Sequence, residues 1–243
     1  GLTVVLLSGM TRYRHLALVP LIAVGALALS ARCEPDALGV IVRLAEQQVR
    51  AQHAADGTAH RDAHAKHHGC VRASFRVLDA DALPDTLRRG VFQPGALYPA
   101  LIRFSNGRGA PKSDVQGDGR GMAVKLMGVP GPKLHPSERG TQDFLLINHP
   151  AFFVRTQADY VEFLSATAAG GFPTGFFFNG WPWNWRMKEL GVVLALTRQH
   201  PTDVLDLRYF SMTAYRFGPD RNMKYSAKPC RERKKGYPDK TPD

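Results

Sequence analysis

The sequence predicts an α+β domain in which helices flank an antiparallel sheet that curls into a barrel. Short runs of alternating apolar residues follow one another along the chain, as expected for half-buried strands. Gly- and Pro-rich loops separate these runs, without the regular intervening helices of a βαβ arrangement. With 243 residues and 44% apolar content, the chain can bury one substantial core, so one main domain is expected.

The local patterns place the elements along the chain. Apolar residues at helical spacing predict an amphipathic helix over residues 34–53, and residues 157–168 also have helical character. Alternation predicts strands over residues 70–77, 100–104, 122–127 and 144–147, and a further strand within 208–225. The remaining segments favour a turn and short helix over 79–87, a Gly- and Asp-rich loop over 107–121, and an aromatic loop over 170–185.

The first residues are typical of an export signal. Arg12 and Arg14 precede an apolar run over residues 16–31, which is short for a membrane span and ends in small residues. Residues 1–33 are therefore predicted to be a signal peptide or an uncleaved N-terminal anchor. The protein is expected to be exported, and either periplasmic or anchored on the outer side of a membrane. Residues 229–243 are predicted to form an exposed, charged end.

The charge distribution and the cysteine count argue against a nucleic-acid-binding protein, a disulfide-rich protein and a cysteine-rich zinc protein. The formal charge of +11 indicates an anionic partner or a well-solvated surface. The basic residues are spread along the chain except within 231–235, and no nucleic-acid-binding module is present, so no nucleic-acid partner is expected. Cys33, Cys70 and Cys230 are too few for a disulfide framework or a cysteine-rich zinc site.

Histidines are concentrated in one segment. His53, His60, His64, His67 and His68 fall within residues 53–68, and His60 and His64 would share one face of a helix. This spacing permits metal ligation, although no HExxH pattern is present. A non-catalytic protein that holds zinc or copper with this cluster remains an alternative.

Four short motifs occur in a fixed order. They are Arg-Asp-Ala-His-Ala-Lys at 61–66, Arg-Phe-Ser at 103–105, Arg-Gly-Met-Ala-Val-Lys at 120–125, and Asn-His-Pro-Ala-Phe-Phe-Val-Arg at 148–155. In this order they resemble the catalase family, over about residues 61–160. Residues 64–70 and 103–107 are more closely similar to the short catalase-like proteins of that superfamily.

The resemblance implies a fold and an activity. The expected fold is an α+β, catalase-like antiparallel β-barrel with flanking helices, which would form a haem-binding domain over residues 34–228. The expected activity is breakdown of hydrogen peroxide or an organic hydroperoxide, with haem b and its iron as cofactor. An enzyme that metabolises fatty-acid hydroperoxides on the same scaffold is the alternative, because the aromatic segment 170–185 would admit an apolar tail.

The resemblance also assigns roles to individual residues. His64 matches the distal histidine that moves a proton from one peroxide oxygen to the other, Ser105 the residue that orients its ring, and Asn148 the amide that positions the peroxide. Arg61 and Arg103 match the arginines that pair with haem propionates. Ala63, Phe153 and Tyr160 are expected beside the porphyrin.

The iron ligand is the point at which the sequence departs from the family. Catalases bind iron through a tyrosine in a helical Arg-x-x-x-Tyr segment. Arg221 and Tyr225 have that spacing, but their surroundings favour strand and turn, and they follow Asn148 too closely. The axial tyrosine is therefore expected beyond Asp243, in a chain that is a fragment.

Overall fold

The computed structural model describes residues 2–7, 36–79, 84–114, 116–135, 138–168, 172–200 and 203–230. In these ranges the helices are α1 (Ala37–Asp56), α2 (Gln157–Ala168), α3 (Thr174–Phe177) and α4 (Met187–Thr197). The strands are β1 (Leu2–Leu7), β2 (His67–Arg76), β3 (Leu97–Asn106), β4 (Arg120–Met127), β5 (Thr141–Ile147), β6 (Tyr209–Ser211), β7 (Tyr215–Arg216) and β8 (Asn222–Pro229).

The strands form an open antiparallel sheet. Seven of them lie in the order β1, β8, β6, β5, β4, β3, β2, and β7 pairs with β8 beside this path. The predicted combination of helices with an antiparallel sheet is confirmed. The predicted barrel is wrong for the described residues, because closure requires the two edge strands to pair with each other. Here β1 pairs with β8 and β2 pairs with β3, so the two edges stay apart.

One face of the sheet carries an aromatic core. Along β4, Met122, Val124 and Leu126 are buried at alternate positions, as a half-buried strand requires. Phe144 on β5 packs beside them and meets the ring of Tyr225 on β8 edge-on, with 5.2 Å between ring centroids. Such aromatic pairs stabilise by about 0.5–1.5 kcal/mol beyond the area that they bury.

On the opposite face of the sheet, Ser105, Gly121 and Ile147 lie side by side on three neighbouring strands. Ser105 on β3 and Gly121 on β4 are paired neighbours there, and Ile147 on β5 is paired with Gly121. Helix α1 packs on α2, and α3 packs on both α2 and α4. Sequence analysis did not predict α4, although Leu190, Val193, Leu194 and Thr197 have helical spacing.

The predictions for the chain ends fall mostly outside the described residues. Of the segment 1–33, only β1 is described, and of 229–243 only positions 229 and 230. No helix within the described ranges is both long and apolar enough to span a membrane. Export and membrane anchoring therefore stay predictions.

Candidate active site

A cavity of about 650 Å³ is lined by Ile147 of β5, by residues of α1, α2 and α4, and by the loop segments that contain His64 and Asp118. This volume is typical of a small-molecule site. Its polar lining residues include Asp62, His64, Arg108 and Asp118, which we call the polar end, and its lining residues from α2, α4 and the segment 152–153 are mostly apolar, which we call the apolar end. The cavity therefore joins a titratable histidine to an apolar chamber.

His64 and Ser105 form a hydrogen-bonded pair at the polar end. The Nδ1 atom of His64 lies 3.0 Å from Oγ of Ser105, which is itself buried on β3. A bond at Nδ1 fixes the ring orientation and leaves Nε2 as the nitrogen for chemistry in the cavity. The structure thus brings together the two residues that the sequence predicted as a catalytic histidine and its orienting serine.

The His64 ring lies directly over Gly121 of β4. A Cβ atom at position 121 would stand 2.5 Å from Cε1 and 2.6 Å from Nδ1 of His64, and 3.0 Å from Oγ of Ser105. Real Cβ atoms essentially never approach that closely. Glycine at position 121 is therefore what allows the ring to sit against the sheet.

The backbone of His64 is held in a strained conformation. Its φ angle is 56°, and within the described ranges it is the one residue other than glycine with positive φ. Its N–H donates to the Gly107 carbonyl at 3.2 Å, and its own carbonyl accepts from Nη2 of Arg103 at 2.6 Å. Strain of this kind costs on the order of 1–3 kcal/mol and is concentrated at functional sites.

The Gly-rich loop (residues 107–119) carries the contacts that hold this strain. The buried Asp118 carboxylate accepts hydrogen bonds from the backbone N–H groups of Gly107 at 3.0 Å and Arg108 at 3.2 Å. The Arg108 carbonyl in turn accepts from the N–H of Ala65, the residue after His64. Two successive loop carbonyls, those of Gly107 and Arg108, therefore bind the successive N–H groups of His64 and Ala65.

The surroundings of His64 favour its neutral form. Burial is the largest effect and lowers the pKa of His64 below its ordinary value, and the positive charge of Arg103 acts in the same direction. A backbone hydrogen bond to Asn106 and the charges of Asp118 and Asp62 oppose the shift without cancelling it. A neutral imidazole at neutral pH is able to accept a proton from a bound molecule.

Four aromatic rings form one wall of the cavity. Phe152 and Phe153 lie 4.6 Å apart between ring centroids, and Phe153 and Phe163 lie 4.5 Å apart. Tyr160 is stacked with Phe163 at 6.4 Å and 8° between ring planes. Burial raises the pKa of Tyr160, and the charge of Asp62 adds to this effect, so its hydroxyl stays protonated.

Asn148 lies just behind the cavity wall. Its Oδ1 atom accepts the backbone N–H of Arg120 at 2.8 Å, and its Nδ2 atom donates to Oε1 of Gln199. Gly119 lines the cavity, and a Cβ atom built on it would lie 3.9 Å from Oδ1 of Asn148. Asn148 itself is not among the lining residues. An amide nitrogen carries two hydrogens, so one is left after the bond to Gln199.

The two arginines predicted to bind propionates lie at the edge of the site. Arg103 donates a hydrogen bond to the His64 carbonyl, and Arg61 is exposed. The pKa of Arg103 is lowered mainly by burial and, to a smaller extent, by the positive charge of Arg61. Neither lines the cavity, whereas Ala63, Phe153 and Tyr160 do. Their roles toward a cofactor stay predictions.

Three described tyrosines lie away from the cavity. Tyr209 is buried and donates its hydroxyl to the Val204 carbonyl at 2.7 Å. Tyr215 and Tyr225 stack in the aromatic core with 5.3 Å between centroids. None of the three lines the cavity.

The clustered histidines do not converge. His60 binds Asp56 at 3.0 Å, His64 binds Ser105, and His68 binds Oδ1 of Asn106 at 2.7 Å. Within the described part of the chain, no three His, Cys, Asp or Glu side chains are grouped to hold a metal ion. The alternative of a His-cluster metal protein therefore has no site in that part.

Several residues of the site were missed by sequence reasoning. Gly121 was visible within the Arg-Gly motif but was not recognised as the seat of the His64 ring. Gln199 and the lining residues Val193 and Leu196 belong to α4 or directly follow it. The helical spacing of 190, 193, 194 and 197 was the signal that would have found them.

No protein-family model and no curated protein matches the chain. Among solved structures, a fungal catalase is similar to it, with 21% sequence identity and a TM-score of 0.47. The match covers 68% of this chain and 32% of the catalase, so the chain spans about a third of that protein's length. The activity is therefore inferred from the residues of the site.

Proposed function

We propose that the protein is a haem-dependent peroxidase of the catalase type, which breaks down hydrogen peroxide or an organic hydroperoxide. The observation that carries this proposal is the His64–Ser105 pair beside the cavity, with a strained histidine that is seated on Gly121 and whose pKa is lowered by burial. Proton transfer by a positioned histidine is the chemistry for which this arrangement is suited.

The residues of the chain would act on the peroxide as follows. Nε2 of His64 would accept the proton from one peroxide oxygen and return it to the other, which prepares that oxygen to leave as water or as an alcohol. The two electrons that cleavage of the O–O bond requires would come from the bound haem. Ser105 holds Nδ1 and keeps Nε2 directed at the peroxide. The free N–H of Asn148 donates to a peroxide oxygen, and the aromatic wall excludes bulk water.

The residues present suit the peroxide side of a haem. A polar end with His64 and a wall of four aromatic rings match the needs of a flat, apolar ring whose reactive centre faces a proton-transfer group. Arg61 and Arg103 would hold the propionates, with Ala63, Phe153 and Tyr160 beside the ring. When bound, the haem would supply redox chemistry at its iron.

A second candidate substrate is favoured by the apolar end of the cavity. Phe163 and Leu164 of α2 and Val193 and Leu196 of α4 contribute apolar side chains to its lining. Such a chamber suits a hydrocarbon tail. A fatty-acid hydroperoxide is thus the alternative substrate, and its peroxide group would lie at His64.

Reconstitution with haem tests the proposal. The protein is titrated with hemin, and the Soret band, oxygen release from hydrogen peroxide and consumption of a lipid hydroperoxide are recorded. We expect a Soret shift and turnover of at least one peroxide. Oxygen release identifies catalase-type activity, and selective consumption of the lipid hydroperoxide identifies the alternative. Absence of both a Soret shift and turnover would refute the proposal.

The His64→Ala variant separates chemistry from binding. Loss of a general acid–base typically costs on the order of 10²–10⁴-fold in turnover. Hemin affinity should remain close to that of the wild type, because the aromatic wall and the arginines are untouched. Turnover at the wild-type rate would rule out His64 as the proton-transfer group.

A further inference from the structure

The amide of Asn148 is fixed by partners on both sides. The backbone N–H of Arg120 points at one end of the carboxamide, and only an oxygen is able to accept it. The Asn148 flip state is therefore determined: Oδ1 faces β4 and Nδ2 faces Gln199. Because Nδ2 is a donor, Gln199 has to present its oxygen, which is the orientation observed.

Gln199 is itself anchored at the end of α4. Its backbone N–H donates to the Leu196 carbonyl at 3.3 Å, and its carbonyl accepts from the N–H of Asp118 at 3.2 Å. Leu196 and Asp118 both line the cavity. Gln199 thus stands where α4 meets the Gly-rich loop, and its side chain reaches Asn148 from there.

We propose that Gln199 is a positioning residue that fixes the direction of the remaining Nδ2–H of Asn148. By taking one of the two hydrogens, Gln199 sets the rotation of the carboxamide and thereby the direction of the second hydrogen. The catalytic role of this hydrogen rests on the proposed function, in which a peroxide oxygen would accept a hydrogen bond from it. The contact itself is testable without cofactor.

The first test uses the cofactor-free protein labelled with ¹⁵N. The Asn148 side-chain amide pair is assigned by its loss in Asn148→Asp. In the wild type we expect two well-separated proton resonances, one of them slow to exchange with solvent because it is held by Gln199. In Gln199→Leu that resonance should move upfield and exchange rapidly. Gln199→Glu keeps an acceptor oxygen and should restore it, and Arg198→Ala, an exposed neighbour, should leave it unchanged.

The second test uses hemin-loaded protein that turns over peroxide. Gln199→Leu should lower kcat/KM by about tenfold, the effect of one net hydrogen bond, with partial recovery in Gln199→Glu. A purely structural role would lower thermal stability without altering the ratio of kcat to KM. Kinetic constants equal to those of the wild type, despite a displaced amide resonance, would overturn the positioning role.

The outcomes separate this inference from the proposed function. A wild-type Asn148 amide whose two protons both exchange rapidly overturns the inference, and this result requires no variant to fold. If the amide behaves as expected while hemin-loaded wild type consumes no peroxide, the proposed function fails and Gln199 still positions Asn148.

Discussion

The contact between the His64 ring and Gly121 is tested most directly by the substitution Gly121→Ala. The added methyl group would stand 2.5 Å from Cε1 of His64, whereas ordinary contact begins at about 3.4 Å. The ring would therefore have to retreat by 3.4 − 2.5, or about 0.9 Å. It has little room to do so, because Ser105 holds Nδ1 and Arg103 holds the backbone carbonyl.

The expected losses follow from this displacement. Forcing a methyl group into a packed site typically costs about 1–3 kcal/mol of folding free energy. Loss of the bond between Nδ1 and Oγ adds about 1 kcal/mol, the net value of a typical hydrogen bond. If the proposed function is correct, a catalytic group misplaced by about 1 Å loses on the order of 10²-fold in turnover.

Gly69→Ala is the matched control for this experiment. Gly69 lies on β2, has open space where its Cβ would stand and lacks positive φ. The substitution therefore reports the general effect of alanine in a strand. Urea denaturation of both variants measures the free energy of unfolding, and hemin-loaded protein measures turnover. Equal stability of the two variants would refute the placement of His64 over Gly121.

Three further predictions concern pH, an arginine and the tryptophans. Burial lowers the pKa of His64 in the folded protein, so as the pH falls the histidine is protonated in the unfolded chain before it is protonated in the folded one. Urea titrations at pH values below about 6.5 should therefore give a decreasing free energy of unfolding, and the decrease should be smaller in His64→Gln. Arg103→Ala should cost about 1 kcal/mol in the same assay, since its bond to the His64 carbonyl is partly exposed, and it should weaken hemin retention; unchanged values for both would contradict this. Trp181, Trp183 and Trp185, the chain's three tryptophans, are all exposed, so emission should be solvent-like and acrylamide should quench it efficiently; blue-shifted, protected emission would show that another surface covers them.

Local sequence patterns were sufficient for most of the sheet. The helix predicted over 157–168 coincides with α2, and the alternation over 122–127 lies within β4. Period-2 alternation is set by residues two apart, so a short window contains it. Whether a sheet closes is set by pairing between strands far apart in sequence, here β1 with β8, and no local window contains that information.

For the site as well, the sequence predicted some contacts and not others. The pairing of His64 with Ser105, 41 residues apart, was predicted from the order of motifs and not from geometry. Gln199 lies 51 residues from Asn148 and belongs to none of the motifs. Its contact depends on where α4 ends relative to β4. Helix ends are the least reliable part of any sequence-based assignment, and this helix was not predicted at all.

Hydrogen bonds from Arg120 hold the Gly-rich loop, which in turn holds His64 in its strained conformation. Arg120 is fully buried, and its guanidinium donates to the carbonyls of Asp114 at 2.8 Å, Asp118 at 3.2 Å and Gln116 at 3.4 Å, so the loop is wrapped around this cation. The backbone N–H of the same residue orients Asn148. One residue thus binds the loop that holds the His64 segment and also orients the amide of Asn148. A change that loosens the loop would therefore act on both groups of the site without touching either.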